Sequence, residues 1–197
     1  MKWIGLTGGI ATGKSTVTEM LRRRGYLVVD ADEIAKQALQ QGRPELKQVI
    51  QIFGQEYLKP DGSLDRKKLA QRVFSNLSEK EKLEKIVHPF VQVEVARKKK
   101  EAKERGAAIA FYDVPLLFEK KLELQFDLIL LIAADESIQI ERLKKRDGLT
   151  FEESKLRLKN QLPMIEKRKK SNYIIENNSD LSNLEKQVDI FLKSVAS

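Results

Sequence analysis

Residues 8–15 read Gly8-Gly9-Ile10-Ala11-Thr12-Gly13-Lys14-Ser15, which matches the pattern Gly-x-x-x-x-Gly-Lys-Ser/Thr. The apolar segment 3–6 precedes this stretch, and a segment with helical spacing of apolar residues follows it as far as Gly25. A glycine-rich loop between a buried strand and a helix points backbone N–H groups at phosphate oxygens. The setting therefore predicts a phosphate-binding loop of the P-loop NTPase type at the start of a βαβ unit.

Four further segments are apolar without polar alternation: 26–29, 107–112, 128–132 and 173–175. Continuous apolar strands are typical of a parallel sheet that helices cover on both faces. The predicted fold class is therefore α/β, a P-loop NTPase with a five-stranded parallel sheet flanked by helices.

Two long segments have helical rather than strand patterns and predict additions to this sheet. Residues 33–106 predict a helical insertion, with breaks at 42–44, 59–62 and His88-Pro89, and residues 138–170 predict a charged helical lid with breaks near Asp147-Gly148 and at Pro163. The nucleotide-binding core then consists of residues 1–32, 107–137 and 171–197. His88 is interpreted as a packing or capping residue.

Composition limits the class of protein. The 197 residues include no cysteine, which excludes disulfides and thiolate metal sites. The longest apolar run, residues 128–134, is far shorter than the roughly 20 residues of a membrane span, and the early glycines interrupt any signal-peptide core. We therefore expect no membrane partner. The need for ATP that the phosphate loop implies predicts a cytoplasmic protein, and the sequence leaves its oligomeric state open.

The net charge of +8 fits either nucleic acid or a small polyanion such as a nucleotide as partner. The basic runs lack the interleaved aromatic residues that single-strand-binding surfaces use. We interpret these runs as solvated helix faces and expect no nucleic-acid partner.

The loop itself supplies the first candidate site residues. Lys14 is predicted to place a cation at the β- and γ-phosphates of ATP, and Ser15 to offer a hydroxyl to Mg²⁺. Thr16 is predicted to cap or line the loop. ATP is thus the expected co-substrate and Mg²⁺ the expected cofactor.

Carboxylates follow two of the predicted strands, at the sheet edge where ligands of α/β proteins bind. Asp32 is the preferred candidate for a general base, while Asp30 fits an N-cap or turn equally well. Asp113 resembles a Walker-B ligand for Mg²⁺, although an aspartate that ends a strand is often a turn residue.

Two arginines stand one turn apart in the predicted lid. Arg142 and Arg146 would point the same way on a helix, as phosphoryl transfer requires of its cations. We favour a functional role for Arg142, while a solvated face beside Asp147 explains Arg146 equally well.

Several segments together resemble the dephospho-CoA kinase family. They are residues 5–10 with 13–16, Asp30-Ala31-Asp32, 62–66, His88-Pro89, Asp113-Val114-Pro115-Leu116-Leu117-Phe118-Glu119, 139–142, Arg146-Asp147, Gln161 and Asn177. The resemblance runs nearly end to end, and its most diagnostic piece is the segment 113–119.

This resemblance implies ATP-dependent phosphorylation of the ribose 3′-hydroxyl of dephospho-CoA, with residues 33–106 as the CoA-binding domain. It implies an ATP loop at Ala11, Thr12, Gly13, Lys14, Ser15 and Thr16. By position it also makes Asp32 the base and Arg142 the lid arginine, and it puts Asn177 near the adenine. The chain departs from the family at Ser171-Asn172, where Ala-Asp is common.

Three other activities use similar residues. A hydroxyl kinase acting on shikimate or gluconate also needs the loop and an acid after the second strand, but an insertion of about 70 residues suits a longer substrate. A nucleoside monophosphate kinase has little use for a base because its acceptor is already anionic. A regulatory or nucleic-acid-binding NTPase is suggested only by the charge.

Overall fold

The computed structural model describes residues 1–74 and 76–196. Its centre is a five-stranded sheet with the order β2-β3-β1-β4-β5. The strands are β1 (Lys2–Gly8), β2 (Leu27–Asp30), β3 (Ile109–Asp113), β4 (Leu128–Ala133) and β5 (Tyr173–Glu176). The prediction of five parallel strands is confirmed, with each strand within a few residues of its predicted position.

The α-helices are numbered in chain order. They are α1 (Lys14–Arg23), α2 (Ala31–Ala38), α3 (Pro44–Phe53), α4 (Arg66–Phe74), α5 (Leu77–Glu104), α6 (Glu136–Asp147), α7 (Phe151–Lys159), α8 (Met164–Lys169) and α9 (Leu181–Ala196). The predicted breaks in segment 138–170 are confirmed, because Gly148 ends α6 with a φ of 68° and Pro163 immediately precedes α8.

The chain divides into two compact units, one formed by Met1–Val29 with Ala102–Ser197 and the other by Asp30–Glu101. The first unit contains β1, β3, β4 and β5 complete and most of β2. The second contains α2, α3, α4 and most of α5. The finer division into core, substrate domain and lid stays a prediction.

In the first unit, β1 occupies the middle of the sheet. It pairs in parallel with β3 on one side and with β4 on the other. Leu6 stands opposite both Asp113 and Leu130, so the loop that follows β1 begins between the carboxyl ends of its two neighbours. This register brings the phosphate loop beside Asp113.

Helices α1 and α9 cover one face of the sheet. Val17 and Leu21 of α1 and Phe191 of α9 belong to the same buried cluster as Ile4 and Phe111 of the strands. Each of these side chains is fully buried, so water is excluded from this face of the sheet. The packing also fixes the position of α1, which begins where the phosphate loop ends.

The second unit has a core of its own, formed between α3, α5 and the connecting segments. The predicted break at His88-Pro89 is wrong, because α5 continues through Pro89. Ile86 and Val87 are buried in this core, and Phe90 packs against it. Proline costs about 3 kcal/mol inside a helix, and we attribute its tolerance here to burial on both sides of it.

Candidate active site

The phosphate loop connects β1 to α1 through two residues with positive φ. Ala11 has a φ of 59° and Gly13 a φ of 89°. A Cβ atom on Gly13 would lie 2.1 Å from Nδ2 of Asn177, so this position is closed to any residue with a side chain. The hydroxyl of Thr12 donates to the Gly9 carbonyl (2.9 Å) and closes the turn. The loop is thus a tight backbone curl of the kind that binds phosphate.

Lys14, the first residue of α1, forms an ion pair with Asp113 at the end of β3. The Asp113 side chain is only 2% exposed, and that of Lys14 is 18% exposed. The second carboxylate oxygen of Asp113 accepts a hydrogen bond from the Thr18 hydroxyl (2.7 Å). The sequence analysis did not identify Thr18. Its position one helical turn after Lys14 on α1 could have indicated that the two side chains lie close together.

Two side chains from the carboxyl side of the sheet bind carbonyls of the loop. Nδ2 of Asn177 donates to the Thr12 carbonyl (2.8 Å). Arg142 of α6 donates to the carbonyls of Ala11 (3.3 Å) and Asn177 (2.9 Å). The structure therefore brings Arg142 and Asn177 to the predicted ATP loop, where both brace its backbone.

Two glutamines also contact the loop, and neither was assigned a role from the sequence. The Ile10 N–H donates to Oε1 of Gln161 (2.9 Å), and Nε2 of Gln139 donates to the Ile10 carbonyl (2.6 Å). Both residues lie in the predicted lid segment 138–170. In the sequence, only their position in segments that resemble the dephospho-CoA kinase family pointed to them.

Glu119, the last residue of the segment 113–119, lies 2.8 Å from the buried ammonium of Lys167 in α8. Its Oε1 also accepts from the Leu162 N–H (3.0 Å). Burial raises the pKa of the Glu119 carboxyl, but the ion pair with Lys167 and the backbone hydrogen bonds lower it by more, so the net pKa lies below 4.5. The carboxylate therefore stays charged at neutral pH.

Arg146 makes a different contact from Arg142. Its guanidinium donates two hydrogen bonds to the Asp147 carboxylate (2.8 and 2.9 Å), and Arg157 donates a third (3.0 Å). The bond to Asp147 raises the pKa of Arg146, and the bond from Arg146 lowers that of Asp147. Both arginines are about half exposed, so this cluster is a solvated ion-pair group.

The two acids after β2 have different settings at the start of α2. Asp30 is the N-cap, and its Oδ1 accepts from the Glu33 N–H (2.9 Å). Asp32 lies exposed in the first turn of α2. The capping interpretation of Asp30 matches this geometry, in which one of its two carboxylate oxygens accepts the capping hydrogen bond.

The departure at Ser171-Asn172 has a structural explanation. Oδ1 of Asn172 accepts from the Ile129 N–H (2.8 Å), and the Asn172 N–H donates to the Ile129 carbonyl (3.1 Å). Ser171 donates its hydroxyl to the Lys167 carbonyl (2.7 Å). An aspartate oxygen accepts the same N–H bond that Asn172 accepts here, so asparagine keeps the contact at the start of β5.

The second unit contains a cavity of about 340 Å³ whose lining combines apolar surface with charged groups. The charged and hydroxyl residues of this lining are Lys59, Ser63, Asp65, Arg66 and Lys67. Asp65 accepts from the Lys68 N–H (3.0 Å), and Arg66 donates to the Lys36 carbonyl (2.7 Å). Most of the charged side chains in the lining are thus basic.

Two features are absent from residues 1–74 and 76–196. In this range, no group of three or more His, Cys, Asp or Glu residues has the geometry of a metal site. No helix in the same range is both long and apolar enough to cross a membrane.

Comparison with known proteins identifies the family. A family model for dephospho-CoA kinase matches residues 2–183. The dephospho-CoA kinase of Bdellovibrio bacteriovorus is 45% identical over 193 residues, which are 98% of this chain and 96% of that protein. The chain belongs to the dephospho-CoA kinase family.

Solved structures agree with this assignment to the dephospho-CoA kinases. The protein TT1252 from Thermus thermophilus has a TM-score of 0.83 and 35% identity, over 98% of this chain and 97% of that one. The dephospho-CoA kinase of Campylobacter jejuni has a TM-score of 0.74 and 28% identity, over 98% and 96%. The P-loop kinase fold class and the kinase activity predicted from the sequence are confirmed, and the shikimate- or gluconate-kinase alternative is not favoured.

Proposed function

We propose that the chain transfers the γ-phosphoryl group of ATP to the ribose 3′-hydroxyl of dephospho-CoA, giving coenzyme A and ADP. The observation that carries the proposal is the contact between Lys14, at the start of α1, and Asp113, at the end of β3, in a chain that belongs to this family. This contact puts a cation and a buried carboxylate at the mouth of a phosphate loop, which is the charge arrangement of phosphoryl transfer.

In this proposal the loop residues Ala11, Thr12, Gly13, Lys14, Ser15 and Thr16 hold the phosphates of ATP. Backbone N–H groups of the loop and of the first turn of α1 donate to phosphate oxygens. Lys14 leaves Asp113 to bind the β- and γ-phosphates, where it stabilises the charge that develops during transfer. Asn177, bonded to the Thr12 carbonyl, lies where the adenine is expected.

Ser15 and Asp113 fit Mg²⁺, because they offer a hydroxyl and a carboxylate oxygen and Mg²⁺ takes oxygen ligands together with substrate phosphates. Asp113 is buried beside the loop, and Ser15 is exposed on it. Bound there, Mg²⁺ would neutralise phosphate charge, while Lys14 serves the β- and γ-phosphates.

Asp32 is proposed as the group that orients the ribose hydroxyl and accepts its proton. It is exposed in the first turn of α2, whereas an oxygen of Asp30 serves as the helix cap, so we prefer Asp32 of the pair for this role. A ribose hydroxyl is a weak nucleophile, and a positioned carboxylate assists it. Arg142 is proposed to stabilise the transferring phosphoryl group from α6.

We assign dephospho-CoA binding to residues 33–106, as the family resemblance implies. The basic cavity with Lys59 and Arg66 supports this assignment, since dephospho-CoA carries a pyrophosphate. Residues 1–32, 107–137 and 171–197 are then the nucleotide-binding core and 138–170 the lid. The need for ATP supports a cytoplasmic location, and no nucleic-acid or membrane partner is proposed.

The direct test measures ATP consumption with dephospho-CoA, AMP, shikimate and gluconate as acceptors. We expect turnover with dephospho-CoA alone, and the product should carry its new phosphate at the ribose 3′ position by ³¹P nuclear magnetic resonance. Turnover with shikimate or gluconate in place of dephospho-CoA would overturn the proposal. A pull-down with labelled DNA or RNA at physiological salt should recover no protein.

A further inference from the structure

Ile10, near the start of the phosphate loop, has both backbone polar groups bonded by glutamine side chains. Its N–H donates to Gln161 and its carbonyl accepts from Gln139. These partners come from 151 and 129 residues further along the chain, and Gln139 is only 4% exposed. The Ile10 N–H is therefore hydrogen-bonded to Gln161 in the nucleotide-free structure.

The backbone beside Ile10 has a shape that the chain does not adopt on its own. Ala11 has a left-handed conformation, with a φ of 59°, although it carries a Cβ atom. In a residue other than glycine, such a conformation persists only where the surroundings hold it. A phosphate loop in this shape needs contacts from outside, even before nucleotide binds.

Residues of α6 and α8 approach the loop closely. A Cβ atom on Gly9 would lie 2.9 Å from both Nε2 of Gln139 and Cε of Met164. The absence of a side chain at Gly9 therefore lets Gln139 reach the Ile10 carbonyl.

Gln161 is itself fixed by the residues that follow it. The next N–H, that of Leu162, donates to Glu119, and Glu119 forms an ion pair with Lys167. The Lys167 side chain is 1% exposed, so the pair is shielded from water on the lysine side. Pro163, which follows Leu162, limits the backbone further because its ring fixes φ. The carboxamide of Gln161 therefore reaches the loop from a backbone with little freedom.

We propose that Gln139 and Gln161 are positioning residues that hold the phosphate loop ready for ATP, and that the Glu119–Lys167 ion pair keeps Gln161 in place. The proposal rests on the proposed binding of ATP phosphates by residues 11–16. Gln139 and Gln161 act through the backbone of Ile10 and touch no reacting atom. Their loss leaves a loop that must be ordered at the moment of binding, and this ordering lowers affinity.

The test compares Gln161→Met and Gln139→Met with the control Asn172→Leu. Methionine is similar in length to glutamine and leucine is similar in size to asparagine, but neither replacement makes a strong hydrogen bond. Asn172 makes the same kind of contact at the amino ends of β4 and β5, away from the loop: its Oδ1 accepts from the Ile129 N–H (2.8 Å). The control therefore removes a side-chain hydrogen bond to the backbone without touching Ile10.

Two measurements are made on each variant: calorimetric affinity for Mg-ATP, and hydrogen–deuterium exchange of the peptide 8–16 in the nucleotide-free protein. We expect Gln161→Met and Gln139→Met each to weaken Mg-ATP binding by about three- to tenfold, as the loss of a neutral hydrogen bond allows. Exchange in 8–16 should quicken, and saturating ATP should restore much of its protection. Asn172→Leu should match the wild type in affinity and in exchange of 8–16.

Wild-type affinity and exchange in both Gln161→Met and Gln139→Met would overturn the inference. An equal loss of affinity in Asn172→Leu would also overturn it, since the effect would then reflect general destabilisation. Failure of the wild type to bind ATP would instead reject the proposed function. The exchange rates need no nucleotide, so they test the positioning role separately.

The role of the ion pair is tested with the double variant Glu119→Gln, Lys167→Met, which removes both charges together and leaves no buried charge unpaired. We expect this double variant to weaken Mg-ATP binding. Combined with Gln161→Met, the total loss of binding free energy should be smaller than the sum of the two separate losses. Fully additive losses would show that the pair does not act through Gln161 and would overturn that part of the proposal.

Discussion

The ammonium of Lys14 contacts the carboxylate of Asp113, 99 residues further along the chain, and so joins the phosphate loop to the end of β3. The pair is largely buried, and Thr18 donates to the other oxygen of the same carboxylate. In the nucleotide-free protein Lys14 thus neutralises Asp113, and phosphate must compete with Asp113 for the lysine.

Replacing Lys14 by methionine should lower turnover by about 10²-fold or more, because charge on the transferring group loses its cation. We expect the chain to remain folded but to melt at a lower temperature, since Asp113 keeps only its other partners. Steady-state kinetics and circular dichroism measure the two effects. Lys2→Met is the control, because Lys2 donates to the Val195 carbonyl (2.7 Å) and should not affect turnover. Normal turnover in Lys14→Met would remove the basis for the P-loop assignment.

Asp32→Asn keeps the size of the side chain but removes its charge and basicity. We expect turnover to fall by at least roughly 10²-fold, as for a general base, while Mg-ATP affinity changes only a few-fold. Asp30→Asn is the matched control, because asparagine caps a helix as well as aspartate does. A large loss of turnover in Asp30→Asn with little loss in Asp32→Asn would show that the base is the other residue of the pair.

Arg142→Ala should lower turnover far more than Mg-ATP affinity if Arg142 acts mainly on the closed site. The structure also supplies a ground-state contact, since Arg142 donates to the Ala11 carbonyl. An equal loss in kcat and in affinity would therefore assign Arg142 to bracing the loop. Arg146→Ala is the control, because Arg146 binds Asp147 at the surface, and it should change turnover by less than about twofold.

The Glu119–Lys167 pair should make stability depend on pH in the acid range. The folded-state pKa of Glu119 lies below 4.5, so the pair stabilises the fold fully above that value and loses its effect as pH falls through the lowered pKa. Glu119→Gln should melt below the wild type at neutral pH, and the difference should shrink in acid. Thermal melts from about pH 7 to about pH 3 measure this. Glu123→Gln, in an exposed pair with Lys170, should show no such convergence.

Removal of divalent ions by a chelator should abolish turnover, and added Mg²⁺ should restore it. Ser15→Ala should raise the Mg²⁺ concentration needed for half-maximal rate, because a hydroxyl ligand is lost. Ser194→Ala is the control, since its hydroxyl donates to the Phe191 carbonyl in α9 (2.7 Å). An unchanged Mg²⁺ requirement in Ser15→Ala would remove Ser15 from the metal site.

The sheet and the phosphate loop could be predicted because their signals are local. Each strand is one continuous apolar run, and the loop is a contiguous pattern that ends in Lys14-Ser15. The path of α5 through Pro89 was not predictable in this way, because the local cost of proline is offset by burial of Ile86 and Val87 against residues distant in sequence.

The contacts of the site were harder to predict than its residues. Asn177 and Arg142 were singled out, but their bonds to loop carbonyls depend on how β5 and α6 meet the loop. Gln139 and Gln161 carry no spacing that distinguishes them from surface glutamines, and only the folded chain shows that both reach Ile10.

The phosphate loop lies near the beginning of the chain, yet its partners are synthesised late. The hydrogen bond to Thr12 can form only after Asn177, 165 residues further along the chain, has been synthesised. The bond from Ile10 likewise requires Gln161. Because a chain emerges from its N-terminus and long-range contacts form late, the loop is completed only after these partners have been synthesised. A nascent chain released before β5 therefore lacks a finished loop, so an interrupted translation product should not compete with the full-length enzyme for ATP.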